Sequence, residues 1–297
     1  MPPPARLTVG IVGVGRVGSV LGAALAAAGH DVVAATAVSS SSRRRAAKFL
    51  PGVPLMPSDD VVAAAALTLL TVPDDALRPL VEGLAATGAI RPGSFLAHTS
   101  GAEGLGVLTA AVDSGALPLA LHPVMTFTGS SVDVQRLAGA TFGVTAPAEL
   151  LPVAEALVLE MGAEPVVIAE SARGLYHAAL AGSANHLVTL VATAQDQLRQ
   201  AGVTDPGRML APLLGAALDN SLRGGDAALT GPVARGDAGT VAAHLAVLSR
   251  CCPDALPAYV AMARLTADRA LGAGRLDAAA AGELLHVLAT PSDGARG

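Results

Sequence analysis

The sequence predicts an α/β fold, a mostly parallel sheet with helices on both faces, followed by an all-α C-terminal domain. Three observations carry this. Short aliphatic or β-branched runs alternate with Ala/Leu-rich helical segments through the first 168 residues, the pattern of parallel strands joined by covering helices. The first run ends in a glycine-rich turn that opens a helix. After Ile168 the strand pattern stops, and helical stretches broken by Gly/Pro turns fill the rest of the chain.

In order, Leu7–Gly13 is short, apolar and closes on glycine. The helix from Arg16 to Ala28 is stopped by Gly29, and Asp31–Val38 is the next β-branched run. Ala66–Val72, Ser94–Ala97 and Leu117–Leu121 read as further strands, each followed by a turn and a helix-like segment. Ala140–Thr145 and Glu164–Ile168 flank a helix at Leu151–Met161. The helical half reads as Arg173–Ala201, Gly207–Leu222, Asp237–Arg250, Ala255–Leu271 and Asp277–Leu288. Two domains follow, residues 1–168 and 169–297, a division that suits a chain of 297 residues.

Composition removes several functions. Hydrophobic residues are 52% and charged residues 14%, against roughly 25% charged in an average soluble protein, which excludes a disordered chain. A net charge of −5 with 2% aromatics and no Trp supplies neither a phosphate-neutralising field nor a base-stacking platform, so no nucleic-acid partner is expected. So few surface charges fit an oligomer that covers part of the surface. Cys251 and Cys252 are adjacent, which suits neither a structural disulfide nor a zinc site, and no metal is expected. The N-terminus lacks the basic-then-apolar layout of a secretory signal, so a cytoplasmic protein is expected. The stretch between Arg173 and Asp196 carries no formal charge and is long enough to span a bilayer. It holds His177, Ser183, Asn185, His186 and Thr189, a polar load that lipid penalises. It reads as a helix buried in protein, not a membrane span.

Gly13-Val14-Gly15-Arg16-Val17-Gly18 follows the first strand and opens a helix. The first glycine permits the tight turn, the second lets a pyrophosphate approach the backbone, and the third lets helix pack on strand. The helix N-terminus then offers N–H groups to a diphosphate. At the end of the second strand an NAD-selecting chain carries an acidic residue for the ribose 2′-hydroxyl. Here Ser39, Ser40 and Ser41 stand before Arg43 and Arg44, with Arg45 beyond. Hydroxyl donors and guanidinium forks are what a 2′-phosphate needs, so NADP is the expected cofactor.

Ligands of open parallel sheets sit beyond the carboxyl ends of the strands. Those ends give Thr71-Val72-Pro73-Asp74, His98-Thr99-Ser100-Gly101 and His122-Pro123-Val124-Met125. Thr71, Val72, Pro73 and Thr99 are assigned to the cofactor, Ser100 to the substrate. Asp74 or Asp75 reads as a helix N-cap. His122 is the stronger histidine candidate; His98 can equally serve to tie down its loop. In the helical half, His177 and Asn185 share one helix face, while Tyr176 projects to a different side. At Thr230-Gly231-Pro232-Val233-Ala234-Arg235-Gly236-Asp237, Arg235 is a candidate clamp for a substrate carboxylate, with Thr230 and Gly231 beside it, and Asp237 reads as the next N-cap.

The glycine turn, His98-Thr-Ser-Gly, Leu121-His-Pro-Val-Met-Thr-Phe, Tyr176-His-Ala-Ala, Asn185 and Leu229-Thr-Gly-Pro-Val-Ala-Arg-Gly-Asp together resemble a family that joins a Rossmann-like domain to a helical C-terminal domain of unknown function. More distantly, the chain is similar to ketopantoate reductase, pyrroline-5-carboxylate reductase and the 3-hydroxyacid dehydrogenases. The resemblance implies an NADP-dependent reductase of a small keto acid or imine, dimeric through the helical domain. The ketopantoate reductases and hydroxyacid dehydrogenases use a lysine on the first long helix of the second domain as proton donor. Here Lys48 is the only lysine, so that role does not carry over. His177, at the corresponding place and with a side-chain pKa ordinarily near working pH, is the expected donor. Asn185 and His122 are expected to position the substrate. The alternative is an NADP(H)-binding sensor that catalyses nothing.

Overall fold

The computed structural model describes residues 6–289. Strand β1 (Thr8–Val12) leads into α1 (Arg16–Ala27), then β2 (Asp31–Thr36), α2 (Ser40–Phe49) and α3 (Ser58–Ala64). There follow β3 (Leu67–Leu70), α4 (Asp74–Ala86), β4 (Phe95–His98), α5 (Thr109–Asp113), β5 (Leu117–Pro123) and α6 (Ser131–Leu137). The sheet is completed by β6 (Thr141–Thr145), α7 (Leu151–Glu160) and β7 (Glu164–Val167). Beyond it come α8 (Arg173–Gln200), α9 (Pro206–Gly224), α10 (Gly231–Ala234), α11 (Ala238–Cys251), α12 (Leu256–Gly272) and α13 (Ala278–Ala289).

The sheet has seven strands in the order β2-β1-β3-β4-β5-β6-β7. From β2 to β5 all pairings are parallel; β6 runs antiparallel to β5, and β7 parallel to β6. Strand alternation sorts the core onto the two faces. Ile11, Leu69 and Ala97 join one buried cluster with Leu21 and Leu25 of α1 and Leu157 of α7. Their neighbours Val12, Leu70 and Leu96 join the other, with Val61 of α3 and Leu77 and Leu84 of α4. Strands buried on both faces explain why the sequence runs are continuously apolar.

The register decides where chemistry can sit. His98, the last residue of β4, lies opposite Ala120, so β5 runs on past the β4 end and carries His122 out beside Gly143 of β6. The antiparallel β6 comes back along that overhang and pairs with it.

The chain divides into two compact units at Ala184/Asn185, inside α8. The first unit therefore holds the start of α8 together with the sheet. In the second, α10 to α13 enclose a core of Ala234, Val241, Ala263, Ala267, Ala270, Leu276 and Leu284. The expectation that 173–196 is a buried helix needs correction: within this chain, residues 183–190 of α8 are exposed, with Val188 at 69%. Apolar sequence states a need for cover, and among the described residues no segment of this chain provides it there. Among the described residues no helix is long and apolar enough to cross a membrane.

Candidate functional site

The turn after β1 is built as a dinucleotide cradle requires. Gly13 adopts φ +95°, a conformation L side chains rarely take. Its carbonyl accepts a hydrogen bond from the Thr71 hydroxyl at 2.5 Å, which braces the turn against the end of β3. A Cβ on Gly18 would fall on Thr71 Oγ1 and the Gly13 carbonyl, so Gly18 is where α1 presses against the turn. Gly15 differs. It caps α1 at φ −79° with no side-chain cap, and an added Cβ would meet nothing nearer than the Gly13 oxygen at 3.9 Å. The protein leaves that face open beside the amides of the first turn of α1, a fit for a nicotinamide dinucleotide's diphosphate.

At the end of β2 the serine–arginine segment begins α2. Ser39 is the N-cap, its hydroxyl accepting from the Ser42 amide at 3.0 Å and lying 3.0 Å from Ser41 Oγ. Ser40, Arg43 and Arg44 are exposed. Arg45 turns inward: an Nη donates weakly to Ser41 Oγ at 3.5 Å, while Nε is buried without a hydrogen-bond partner. An orphaned buried donor is uncommon. A Cβ on Gly129 would stand 3.2 Å from Arg16 Cγ and 3.5 Å from Arg45 Cδ, so the segment after β5 approaches both arginines. Asp133 anchors that segment: buried, it accepts from the amides of Thr128, Gly129 and Ser130. Those bonds outweigh the cost of its burial and hold its pKa below the usual carboxylate value. Val72, Pro73 and Thr99 sit on the loops leaving β3 and β4. Pro73, not Asp74 or Asp75, is the N-cap of α4, which corrects the capping assignment. The two aspartates occupy the first turn instead, where carboxylates complement the helix dipole.

The second half of the site gathers at the β4 and β5 ends. His98 is fully buried, its Nε2 3.0 Å from the Gly104 carbonyl and its Nδ1 accepting from the Ser100 amide at 3.2 Å. Both nitrogens are committed to the loop, so His98 is a tie for residues 99–104. His122 Nδ1 lies 2.7 Å from the Tyr176 hydroxyl, and its ring centroid is 6.3 Å from that of His177, edge to face. Gly101 lets the loop pass between them: an added Cβ would stand 2.7 Å from His177 Cδ2 and 2.8 Å from His122 Nε2. Expected partners from β5 and α8 thus meet here, with Ser100 alongside. Asn185, two turns further along α8, is exposed.

Arg173 and Tyr176 are what sequence reasoning missed. Arg173 opens α8 and is 2% exposed. Its Nε donates to Thr145 Oγ1 at 2.9 Å, Nη1 to the Ser100 carbonyl at 2.9 Å, and Nη2 to the carbonyls of Ala120 at 3.1 Å and Gly143 at 3.2 Å. One planar fork therefore ties the loop after β4, β5 and β6 to the helix that carries Tyr176 and His177. Its partners are neutral, so its charge acts on the neighbours. Burial first, then the Arg173 charge, pushes His98 and His122 each down to about 4. Burial also raises the Tyr176 phenol.

The linkage has a definite sign. For His98 and His122 the folded pKa of about 4 lies below the unfolded value of about 6.5, so between the two the unfolded chain binds more protons. Stability is full above about pH 6.5 and falls as pH drops through 4. Urea unfolding at pH 4.5, 5.5 and 6.5 should show the midpoint climbing with pH. A flat profile would remove both histidines from this account.

In the second unit, Thr230, Ala234 and Arg235 line a cavity of about 540 Å³ together with Leu229 and Arg275; Gly231, with φ +89°, starts α10 beside it. Asp237 caps α11 as expected, accepting from the Thr240 amide at 2.9 Å. Among the described residues no group of acidic, His and Cys side chains could hold a metal ion.

Residues 3–123 match the Rossmann-like domain family, and residues 140–266 match a domain of unknown function, DUF2520. The chain joins a Rossmann-like domain to a DUF2520 domain. In this Rossmann-like/DUF2520 chain the second match starts just before β6, so the antiparallel end of the sheet belongs to it. No curated protein matches the sequence. Solved structures do. A candidate NADP oxidoreductase from Bacteroides fragilis is 20% identical, with TM-score 0.74 over 89% of this chain and 98% of its own. An imine reductase from a Pseudomonas species is 18% identical, with TM-score 0.66 over 95% and 100%. A pyrroline carboxylate reductase from Plasmodium falciparum, solved with NADP bound, is 10% identical, with TM-score 0.58 over 94% and 98%. At such identities the likeness is one of fold.

Proposed function

We propose that the Rossmann-like/DUF2520 chain is an NADPH-dependent oxidoreductase that reduces a small keto acid or imino acid. The observation that carries this reading is the pairing, along one sheet edge, of an open glycine cradle at β1 with the His122–Tyr176–His177 cluster at β5. Three strand spacings separate those strands, about 14 Å. The names of the structural neighbours agree with the reading, and the fold alone does not compel it.

Bound in the cradle, NADPH would supply hydride. Everything else falls to the chain. Gly13, Gly15, Val17 and Gly18 shape the diphosphate seat, with Arg16 at its rim. Thr71, Val72, Pro73 and Thr99 border it. Ser39, Ser40, Ser41, Arg43 and Arg44, with Arg45 behind them, face the adenosine phosphate. When hydride adds to a carbonyl carbon, the C=O π pair moves to oxygen and the alkoxide needs a proton; an imine's nitrogen needs one likewise. His177 supplies it, and the product is the hydroxy or amino acid. His122, neutral because its pKa is about 4, offers a hydrogen bond without competing for that proton, while Ser100 and Asn185 contribute polar contacts. Arg235, with Thr230 and Gly231, is a carboxylate-binding set of the second unit in this reading. Dimerisation through the helical domain is part of it, supported by apolar side chains left exposed on α8 and α9, among them Val188, Leu213 and Leu222.

The test is NADPH absorbance in a panel of keto acids and imines that includes ketopantoate. General acid catalysis contributes roughly 10²–10⁴-fold, so His177→Ala should lower turnover at saturating substrate at least about 100-fold. Near-normal turnover would take His177 out of the mechanism. A chain that binds NADPH and oxidises it with nothing offered would be a sensor instead. NADPH should bind about tenfold to a hundredfold more tightly than NADH, from one charged contact worth roughly 1.5–3 kcal/mol. Replacing Arg43, Arg44 and Arg45 by Met should abolish that ratio and leave NADH affinity in place. Calorimetric titration of both coenzymes reads it.

A further inference from the structure

The cavity in the helical unit holds a polar set that the fold does not use. Arg235 and Arg275 both line it, with Thr230 between α9 and α10. Four other arginines of this unit are engaged, Arg199 with Asp196, Arg223 with Asp219, Arg269 with Asp226, and Arg264 with the Leu288 carbonyl, while the exposed Arg208 and Arg250 are not among the residues that line the cavity. Among the described residues, the guanidinium groups of Arg235 and Arg275 and the Thr230 hydroxyl have no hydrogen-bond or ion-pair partner. Asp237 is the nearby carboxylate that feels Arg235, and it is committed to the amide and hydroxyl of Thr240.

The turns that bear the two arginines are held together by the core beneath them. Ala234 and Leu276, each adjacent to one arginine, are buried in the same apolar cluster. Between them Gly236 turns at φ +74°, and a Cβ there would stand 2.8 Å from Ala280 Cβ and 3.0 Å from Leu276 Cδ1. The turn that bears Arg235 is thus packed directly on the turn that bears Arg275. Both side chains are exposed at the cavity they line, so an anion can reach either guanidinium without displacing a protein partner.

We propose that this cavity binds an anionic oxygen group, a carboxylate or phosphate of a small molecule, between Arg235 and Arg275 with Thr230 as a third donor. Planar guanidinium forks match both groups. The site deepens the reading above by adding Arg275 to the carboxylate-binding set of the second unit. It rests on that reading only for the identity of the anion, because binding itself needs no coenzyme.

Calorimetric titration of the full chain with malonate and with inorganic phosphate, in a weakly coordinating buffer, tests it. At least one anion should bind the wild type. Arg235→Met and Arg275→Met should each weaken it about tenfold or more, and Arg275→Lys should recover part of the loss. Arg208→Met, which removes an exposed arginine outside the cavity, should change nothing. Malonate binding identifies a carboxylate site and phosphate binding a phosphoryl site. No binding to the wild type, or an equal loss in Arg208→Met, overturns the proposal. The two readings fail separately. Anion binding lost in Arg275→Met, without reduction of any keto or imino acid, removes only the oxidoreductase. Active reduction with anion binding unmoved in Arg275→Met removes only this site.

Discussion

Gly15→Asp should leave the fold intact and remove the dinucleotide. Its backbone at φ −79° is one any residue adopts, and the nearest protein atom to an added Cβ is 3.9 Å away. Unfolding free energy should therefore stay within about 0.5 kcal/mol of the wild type. A carboxylate placed where a diphosphate must lie both occupies the approach and repels the ligand, and such like-charge juxtaposition costs several kcal/mol. NADPH affinity should fall at least about 100-fold in a calorimetric titration, with the melting temperature unchanged. Retained affinity would mean that the turn is not the seat of the coenzyme. The contrast with Gly18 is instructive. A Cβ there meets Thr71 and the Gly13 carbonyl, so substitution damages the turn itself and says little about the ligand.

The second large effect is expected at Arg173. Arg173→Met leaves the carbonyls of Ser100, Ala120 and Gly143 and the Thr145 hydroxyl without their common donor. Orphaned buried acceptors cost about 1–3 kcal/mol each before relaxation and water entry offset part of it. A net loss of about 3 kcal/mol or more is expected in urea unfolding, through a lower midpoint at an unchanged slope. Arg173→Lys carries the charge but lacks the fork, so it should recover only part of the stability. A purely structural residue would leave the neighbours' titration alone. Here the His122 imidazole, followed by NMR, should titrate higher in Arg173→Met and remain low in Arg173→Lys. A stability loss under about 1 kcal/mol with an unmoved His122 would contradict the role.

Much of this molecule is readable from the chain because its signals are local. Gly13, Gly15 and Gly18 announce the turn, and apolar runs of strand length alternating with Ala/Leu helices announce the layers. The observed bounds of β1, β2 and α8 lie within two residues of the expected ones. Strand direction is different: Ala140–Thr145 reads the same forwards or backwards, and only its pairing with β5 shows it to be antiparallel. Arg173 was invisible for a related reason. Its partners are backbone carbonyls, which every residue possesses, so no complementary side chain in the sequence points to its burial. Helical spacing puts Tyr176 on a different side of α8 from His177, yet the β5 overhang brings His122 within reach of both. The exposed row on α8 reveals the converse limit, since apolar patterning states a demand for burial without saying which surface meets it.

The phenol of Tyr176 has one further consequence. With no Trp and two Tyr in the chain, near-ultraviolet absorption and intrinsic emission come from Tyr176 and Tyr259, each hydrogen-bonded to a histidine. Half of the natural chromophore is therefore built into the end of the sheet that carries the candidate site. Ligand arrival beside His122 will register as a change in tyrosine light, read without a label and free of indole background.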